Sequence, residues 1–408
     1  VLLDRRGGLW FGAREGLTRW SGGALDMRPV DDQLRDWRVR AFLEDSRGDV
    51  WIGTFAGGLT RLRRGPVRAF GASEQLPIKG TTAVLAGTSG DLWIGAWRQG
   101  LLQWRPGSGI QRHWTSENGL PGHTAWALAT DARRPDGVWV GGDQGLAWIE
   151  AGRLHSRGPG DIAYSAPLRL IYADPLQADT LWVSGETGGA VELGPGRQIA
   201  HDRGRGLPLD RVLFFHRDRA GRLLAGGREG LFQLDQGQWS AIAPAGVPMR
   251  SLIAITEQPD GSLWLSSEVD GLIRVSADGV TRYGLDQALP FWPTYSLELD
   301  QSGWLWLSGE EGLARMRLDD HERWRRGELA SIPFERLARR DGLRDIECNG
   351  WGSPASTRLV DGTLVYPTNA GIALVDSTAL PAVALSANEI YVESASAGER
   401  AVSIAEPV

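Results

Sequence analysis

The chain of 408 residues carries one cysteine, Cys348, three methionines and, among 44 basic residues, a single lysine, Lys79. One thiol cannot form an intrachain disulfide, so no covalent staple holds this fold, although that leaves oxidising compartments open. No apolar run approaches the ~20 residues that a membrane helix needs, and no stretch has the form of a secretory signal. The net charge is −6 and no basic stripe stands out, which argues against a nucleic-acid partner. Histidine is scarce: His113, His123, His155, His201, His216 and His321 fall at unrelated positions in the pattern described below. Metal spacings such as His-x-His or His-Glu-x-x-His are missing, and a lone cysteine with scattered histidines offers no nucleophile pair. These absences lead us to expect surface or loop histidines, no metal, no cofactor and no catalytic residue.

Tryptophan, by contrast, supplies 19 of the 34 aromatic residues, and seven of them sit in a recurring cassette. The cleanest copies are Gly48-Asp49-Val50-Trp51-Ile52-Gly53 and Gly90-Asp91-Leu92-Trp93-Ile94-Gly95. Others centre on Trp10, Trp139, Trp182, Leu224, Trp264, Trp306 and Val365. Most centres lie about 42 residues apart by subtraction of these numbers, and the last step, from 306 to 365, is longer. A period near forty built on strand-like cassettes marks a radial β-architecture. A repeat array of this length can be one body.

Residues 38–80 serve as the template. Arg38–Glu44 is β-prone, Asp45-Ser46-Arg47-Gly48 is a turn, Val50–Thr54 a second strand, Leu59–Leu62 a third and Pro66–Phe70 a fourth. In the turn, aspartate bonds back to the backbone and glycine takes the left-handed position. Four short antiparallel strands make one propeller blade. The cassette is apolar at consecutive positions, as expected of a sheet covered on both faces. Two residues past each tryptophan centre stands a small residue (Gly12, Gly53, Gly95, Gly141, Ser184, Ser266, Ser308), on the same strand face, and we expect a group from the adjacent blade to fill that space. A glycine followed by an apolar residue, most often leucine, comes after each cassette, and Leu-Pro or Val-Pro steps join units, because proline cannot feed a ladder. Seven tryptophans (10, 51, 93, 139, 182, 264 and 306) should occupy equivalent, buried positions. Asp319 to Leu329, with aspartates first and arginines behind, predicts a short helix near 320–329 as an insertion on the blade rim.

The pattern Asp-x-x-Gly-x-Leu-Trp-Ile-Gly followed by Gly-Leu resembles the two-component regulator propeller repeat, over residues 1 to about 380. The stretches Asp341-Gly342-Leu343, Glu347-Cys348-Asn349-Gly350, Asp361 to Thr368 and Gly371 to Asp376 resemble that family's final blade, with Val365 in place of the usual tryptophan. Pro381-Ala382-Val383-Ala384-Leu385 resembles the entry into the immunoglobulin-like domain that follows such propellers. The resemblance implies an extracytoplasmic, periplasmic sensor region of a bacterial transmembrane signalling protein. Its histidine kinase or diguanylate cyclase output and its membrane helix would lie outside this stretch, and a homodimer is expected of the full-length protein. The first residues, Val1-Leu2-Leu3-Asp4, align with Phe42-Leu43-Glu44-Asp45, so the chain is read as starting inside a repeat. A lyase-like or carbohydrate-active propeller enzyme and a non-catalytic interaction scaffold are the alternatives.

Function on such a scaffold is sought on its variable turns. The Asp-x-x-Gly turns fall at one end of the blades. The turns after the cassettes and the Leu-Pro connectors fall at the other. Tips at the second end place Trp97, Arg98, Asp143, Glu186, Arg228, Glu229, Glu268, Glu310, Glu311 and Asn369 as candidate contacts to a sugar or other small polar ligand, there or at a protomer interface. The ninth unit ends at Gly371–Val375 with no fourth strand of its own. An unpaired edge invites aggregation, so Pro66–Phe70 is expected to pair with it. That would close a seven-bladed propeller over 66–380, the alternative being one larger ring or an open arc that uses all nine units. Residues 1–65 would then be the last blades of a preceding propeller, and 381–408 a linker with the first strand of the next domain.

Overall fold

The computed structural model describes residues 1–378 apart from 6, 14–15, 22–23, 27–37, 46–47, 56–57, 63–64, 73–75, 132–133, 158–166, 178 and 244–248. It also describes a separate two-stranded ladder, Ala395–Ala397 with Arg400–Val402. The expected turn tip at Arg14–Glu15, the Val247-Pro248 connector and the domain entry at 381–385 lie outside the described residues.

Seven four-stranded antiparallel sheets follow one another as blades 1 to 7. Blades 1 to 6 span residues 81–114, 125–157, 168–201, 212–241, 252–283 and 294–337. Blade 7 consists of Thr357–Arg358, Leu364–Thr368 and Gly371–Val375, completed by Val67–Phe70 from the other end of the ring. Phe70 lies opposite Ile372 and Val67 opposite Val375. The expected closure is therefore the observed pairing. Among the described residues Leu59–Leu62 pairs only with Val50–Thr54, so the unit 39–62 shows three strands there rather than four. Its fourth satisfies the otherwise open edge of blade 7 instead. A four-stranded unit built from Leu2–Leu3, Leu9–Ala13, Gly16–Ser21 and Ala24–Asp26 precedes it.

Apolar packing runs between blades, which explains the unbroken apolar cassettes. Trp93 and Trp114 of blade 1 meet Leu128 and Val138 of blade 2. Leu146 meets Leu168 across the next interface, and Trp182 meets Phe215 and Trp239 across the third. Phe214 packs with Leu252, Trp264 and Tyr283 with Leu305 and Met316, and Trp306 with Tyr366. Finally Val365 and Leu374 of blade 7 meet Leu92 and Ile94 of blade 1, and the circle is complete. Val365 is fully buried where a tryptophan is usual.

Four of the seven cassette tryptophans, 93, 182, 264 and 306, are buried. Trp10, Trp51 and Trp139 are only half-buried, which corrects the expectation for those three. Trp10 and Trp51 belong to the units outside the ring, whose small shared cluster covers them less completely. A buried indole N–H calls for an acceptor, and in four cassettes the turn residue six positions earlier provides it, whereas Trp139 and Trp182 Nε1 have no partner among the described residues. Trp10, Trp51 and Trp306 donate to Asp4, Asp45 and Asp300 at 2.9, 2.9 and 2.8 Å, and Trp264 donates to Gln258 at 2.9 Å. The small residue after the cassette makes room as anticipated. A Cβ on Gly141 would run into Leu168 of blade 3, and the Ser184 hydroxyl accepts from the Val212 amide of blade 4.

The insertion forms a helix over Leu318–Arg325. It caps the outer side of blades 5 and 6 through Leu318 and Trp324. Its His321 is buried rather than superficial, and so is His201 in blade 3. Both corrections have one cause: each ring sits among aromatic neighbours with both nitrogens occupied. His321 Nε2 lies 2.5 Å from the Tyr283 hydroxyl and Nδ1 3.2 Å from Glu322. His201 Nδ1 accepts from Trp239 Nε1 at 3.0 Å, and Nε2 faces Glu192 at 3.2 Å.

Candidate ligand site at the channel mouth

The first strand of each blade lines the centre of the ring, and in blades 1 to 6 it carries a bulge at the same place. The register slips between Thr81 and Ala83, Ala125 and Ala127, Leu168 and Leu170, Val212 and Phe214, Leu252 and Ala254, and Thr294 and Ser296. The extra residues are Thr82, Trp126, Arg169, Leu213, Ile253 and Tyr295. A bulge turns one side chain out of the alternating pattern, and such residues often face functional sites. Here they form a ring of unlike chemistry around the end that bears the variable turns.

Blade 7 departs from this plan. Its first strand is only Thr357–Arg358, and the segment before it crosses the channel. Ser353 donates to the Trp126 carbonyl at 2.9 Å and accepts from Leu128 at 2.7 Å, while Pro354 accepts from Val84 at 3.1 Å. Gly352 permits this approach, since a Cβ there would collide with the carbonyl oxygens of Trp126 and Thr82. The crossing segment and the first strands of blades 3 to 6 enclose a cavity of about 240 Å³, with Arg169, Arg211, Leu213, Ile253, Tyr295 and Trp351 among its lining residues.

The mouth of this cavity is polarised. Glu186 bridges two guanidinium groups, Arg169 at 2.5 Å and Arg211 at 3.3 Å. Arg169 also stacks 3.5 Å from the centre of the Trp126 ring, a cation–π contact. Arg169 Nη1 and Arg211 Nε have no hydrogen-bond partner among the described residues. Burial lowers the Arg211 pKa, against the pull of Glu186. Across the ring, Tyr295 donates to Glu310 at 2.6 Å. Burial and the nearby carboxylates of Glu310, Glu347 and Glu268 push its phenol well above its ordinary range. Trp351 is 65% exposed beside it. At the far end of the cavity, His216 faces Glu257 at 3.1 Å. Glu298 is held by Ser356 at 2.9 Å and by Arg358, and its pKa is raised by burial.

The candidates read from the turns divide accordingly. Glu186 and Glu310 stand at the mouth through the arginine and tyrosine they hold, and the charge of Glu268 reaches both Arg211 and Tyr295. Asp143 is bound by its own scaffold: it accepts from the amides of His123 and Thr124 at 3.0 and 2.9 Å and from Trp126 Nε1 at 2.6 Å. Asn369 accepts from Asn349 of the crossing segment at 3.4 Å. Trp97 is 54% exposed with the Arg98 guanidinium 5.9 Å from its ring centre, and neither lines the cavity. Glu311 turns to Arg336 at 2.8 Å, while Arg228 and Glu229 are exposed. The residues that sequence reading missed are Trp126, Arg169, Arg211, Tyr295 and Trp351. For the bulge residues the available signal was a non-conforming residue 11 or 13 positions before each cassette centre. Among the described residues no group of three or more His, Cys, Asp or Glu could hold a metal, and no helix is long and apolar enough to cross a membrane.

A family model described as "Two component regulator propeller" matches residues 36–56. Comparison with curated protein sequences finds no match. Among solved structures, the chain is similar to an extracellular domain from B. thetaiotaomicron assigned to a hybrid two component system. The TM-score is 0.75 at 16% identity, over 99% of this chain and 56% of that one. The chain thus spans little more than half the length of that domain. It is also similar to virginiamycin B lyase from Staphylococcus aureus, solved in a catalytically inactive form with quinupristin. That likeness has a TM-score of 0.55 at 12% identity, over 76% of this chain and 98% of the lyase. The WD40 propeller domain of Doa1 matches at TM-score 0.52 and 10% identity, over 76% and 94% of the two chains. At these identities the structural likenesses establish the propeller fold. The two component regulator propeller match is confined to residues 36–56, and a similar cassette recurs along the ring.

Proposed function

We propose that this chain is the ligand-sensing propeller region of a bacterial transmembrane signalling protein, located outside the cytoplasm, and that it binds a small polar ligand at the channel mouth. In this reading 66–380 is the sensing propeller, 1–65 belongs to a preceding one, and 381–408 leads into an immunoglobulin-like domain. The output module is a histidine kinase or a diguanylate cyclase, and the full-length protein works as a homodimer. One observation carries the ligand site: bulge residues of several blades and turn carboxylates meet around a cavity whose arginine donors are incompletely used within the protein. Pockets that combine apolar walls with a few convergent polar groups are the usual form of a small-molecule site.

The test is a thermal-shift and calorimetric screen of the purified protein against sugars, amino acids and carboxylates, repeated on Arg169→Gln. Saturable binding that Arg169→Gln weakens at least tenfold supports the site. Binding that survives this change but fails on Trp97→Ala places the ligand at the outer turns instead. Steady conversion of a bound compound would move the reading to the lyase-like class, for which the His216–Glu257 pair beside the cavity would be the first group to replace.

A further inference from the structure

The order of the blades fixes which charges face each other. Blades 3 and 4 are neighbours and carry Arg169 and Arg211, with one carboxylate, Glu186, shared between the two guanidinium groups. Two cations share one ion-paired carboxylate, with Glu268 a more distant second charge acting on Arg211, so the wall presents its guanidinium groups. Blades 6 and 7 lie across the ring and present the opposite sign. Tyr295 is tied to Glu310, and the carboxylates of Glu347 and Glu268 act on it. Between the walls stand apolar and aromatic side chains, Leu213, Ile253 and Trp351, on a floor closed by the crossing segment.

A neutral ligand leaves both charged walls unmatched. A simple anion is repelled by the carboxylate wall, and a simple cation by the arginines. We infer that the channel mouth takes a small zwitterion, an α-amino acid or short peptide, with its carboxylate on Arg169 and Arg211 and its ammonium toward Tyr295, Glu310 and Trp351. Carboxylate on guanidinium forms strong charge-assisted bonds, and it would use the donors that the protein leaves without partners. An ammonium beside an exposed indole gains a cation–π contact. A volume of about 240 Å³ has room for several waters and suits a molecule of this size. The inference rests on the channel reading above and narrows its ligand class.

The experiment is titration calorimetry on the purified chain with L-alanine, L-glutamine and glycylglycine as zwitterions, against sodium acetate, ethylammonium chloride and glucose. At least one zwitterion is expected to bind tenfold or more tighter than all three controls. Arg211→Gln and the exposed Glu310→Gln should each weaken it at least tenfold with the melting temperature unchanged. Acetate or ethylammonium binding as tightly as the zwitterions would overturn the inference. Glucose binding best, with loss on Arg211→Gln, would overturn it while leaving the sensor channel intact. Absence of binding by every probe would count against both.

Discussion

At the scale of single residues, the Asp-x-x-Gly turn is a socket for the tryptophan as well as a reversal of the chain. Asp300 accepts from the amides of Ser302 and Trp304 with one oxygen and from Trp306 Nε1 with the other. Asp300→Ala removes all three and strands a buried indole N–H. An orphaned buried donor alone costs about 1–3 kcal/mol, so we expect at least that loss in urea unfolding, with Asp300→Asn milder. No loss would mean that the indole finds another acceptor. His321 supplies the pH counterpart. Burial lowers its pKa from 6.5 to about 4, and the folded ring is neutral between the Tyr283 hydroxyl and Glu322, with Arg274 and Arg325 adding positive charge nearby. The unfolded chain therefore binds the extra proton between pH 6.5 and 4, and stability rises with pH across that window. The unfolding midpoint should fall on acidification from 6.5 to 4, and His321→Phe should flatten that slope even if it lowers stability throughout. An unchanged slope would assign the acid sensitivity to other groups.

At the scale of elements, two segments do what no single blade can. Val67–Phe70 closes the ring by pairing with Gly371–Val375. A chain beginning at residue 66 should stay monodisperse and melt cooperatively, whereas one beginning at 72 should aggregate through its open edge. Indistinguishable size-exclusion profiles would show that the closing strand is dispensable. The crossing segment is the second device. Gly352→Val places side-chain atoms against the backbone of Trp126 and Thr82, so the segment must lift from the channel. Overpacking of this kind typically costs about 1–3 kcal/mol, and ligand binding at the mouth should vanish with it. Binding retained at full affinity would detach the site from this floor.

At the scale of the molecule, seven apolar interfaces in a closed circle make stability a property of the whole ring. Trp182 touches Phe215 and Trp239 of the next blade, so Trp182→Ala should cost about 3–5 kcal/mol and unfold blades 3 and 4 together. Hydrogen exchange should rise across both blades; protection lost in blade 3 alone would contradict that coupling. The mouth is a whole-molecule feature in the same sense, since Arg169 and Tyr295 are separated by two intervening blades and by more than a hundred residues of chain.

The sequence by itself determined the repeat, the strand order within a blade, the interblade burial of the cassettes and the identity of the closing strand. Each of these depends on local patterning: a fixed period, turn residues at fixed offsets, and a last unit visibly short of one strand. Glu186 and Glu310 were legible for the same reason, because they occupy turn tips. Only the tertiary structure decided what those carboxylates hold. The bulges at Arg169 and Tyr295 show in the sequence only as residues that break the pattern before a cassette, and such a residue can be placed as a bulge only once its partner strand is known. Nor does the stretch from Glu347 to Ser356 announce that it crosses the channel. The backbone of Ser353 and Pro354 bonds Val84, Trp126 and Leu128, more than two hundred residues earlier, and that pairing exists only once the ring has closed around it.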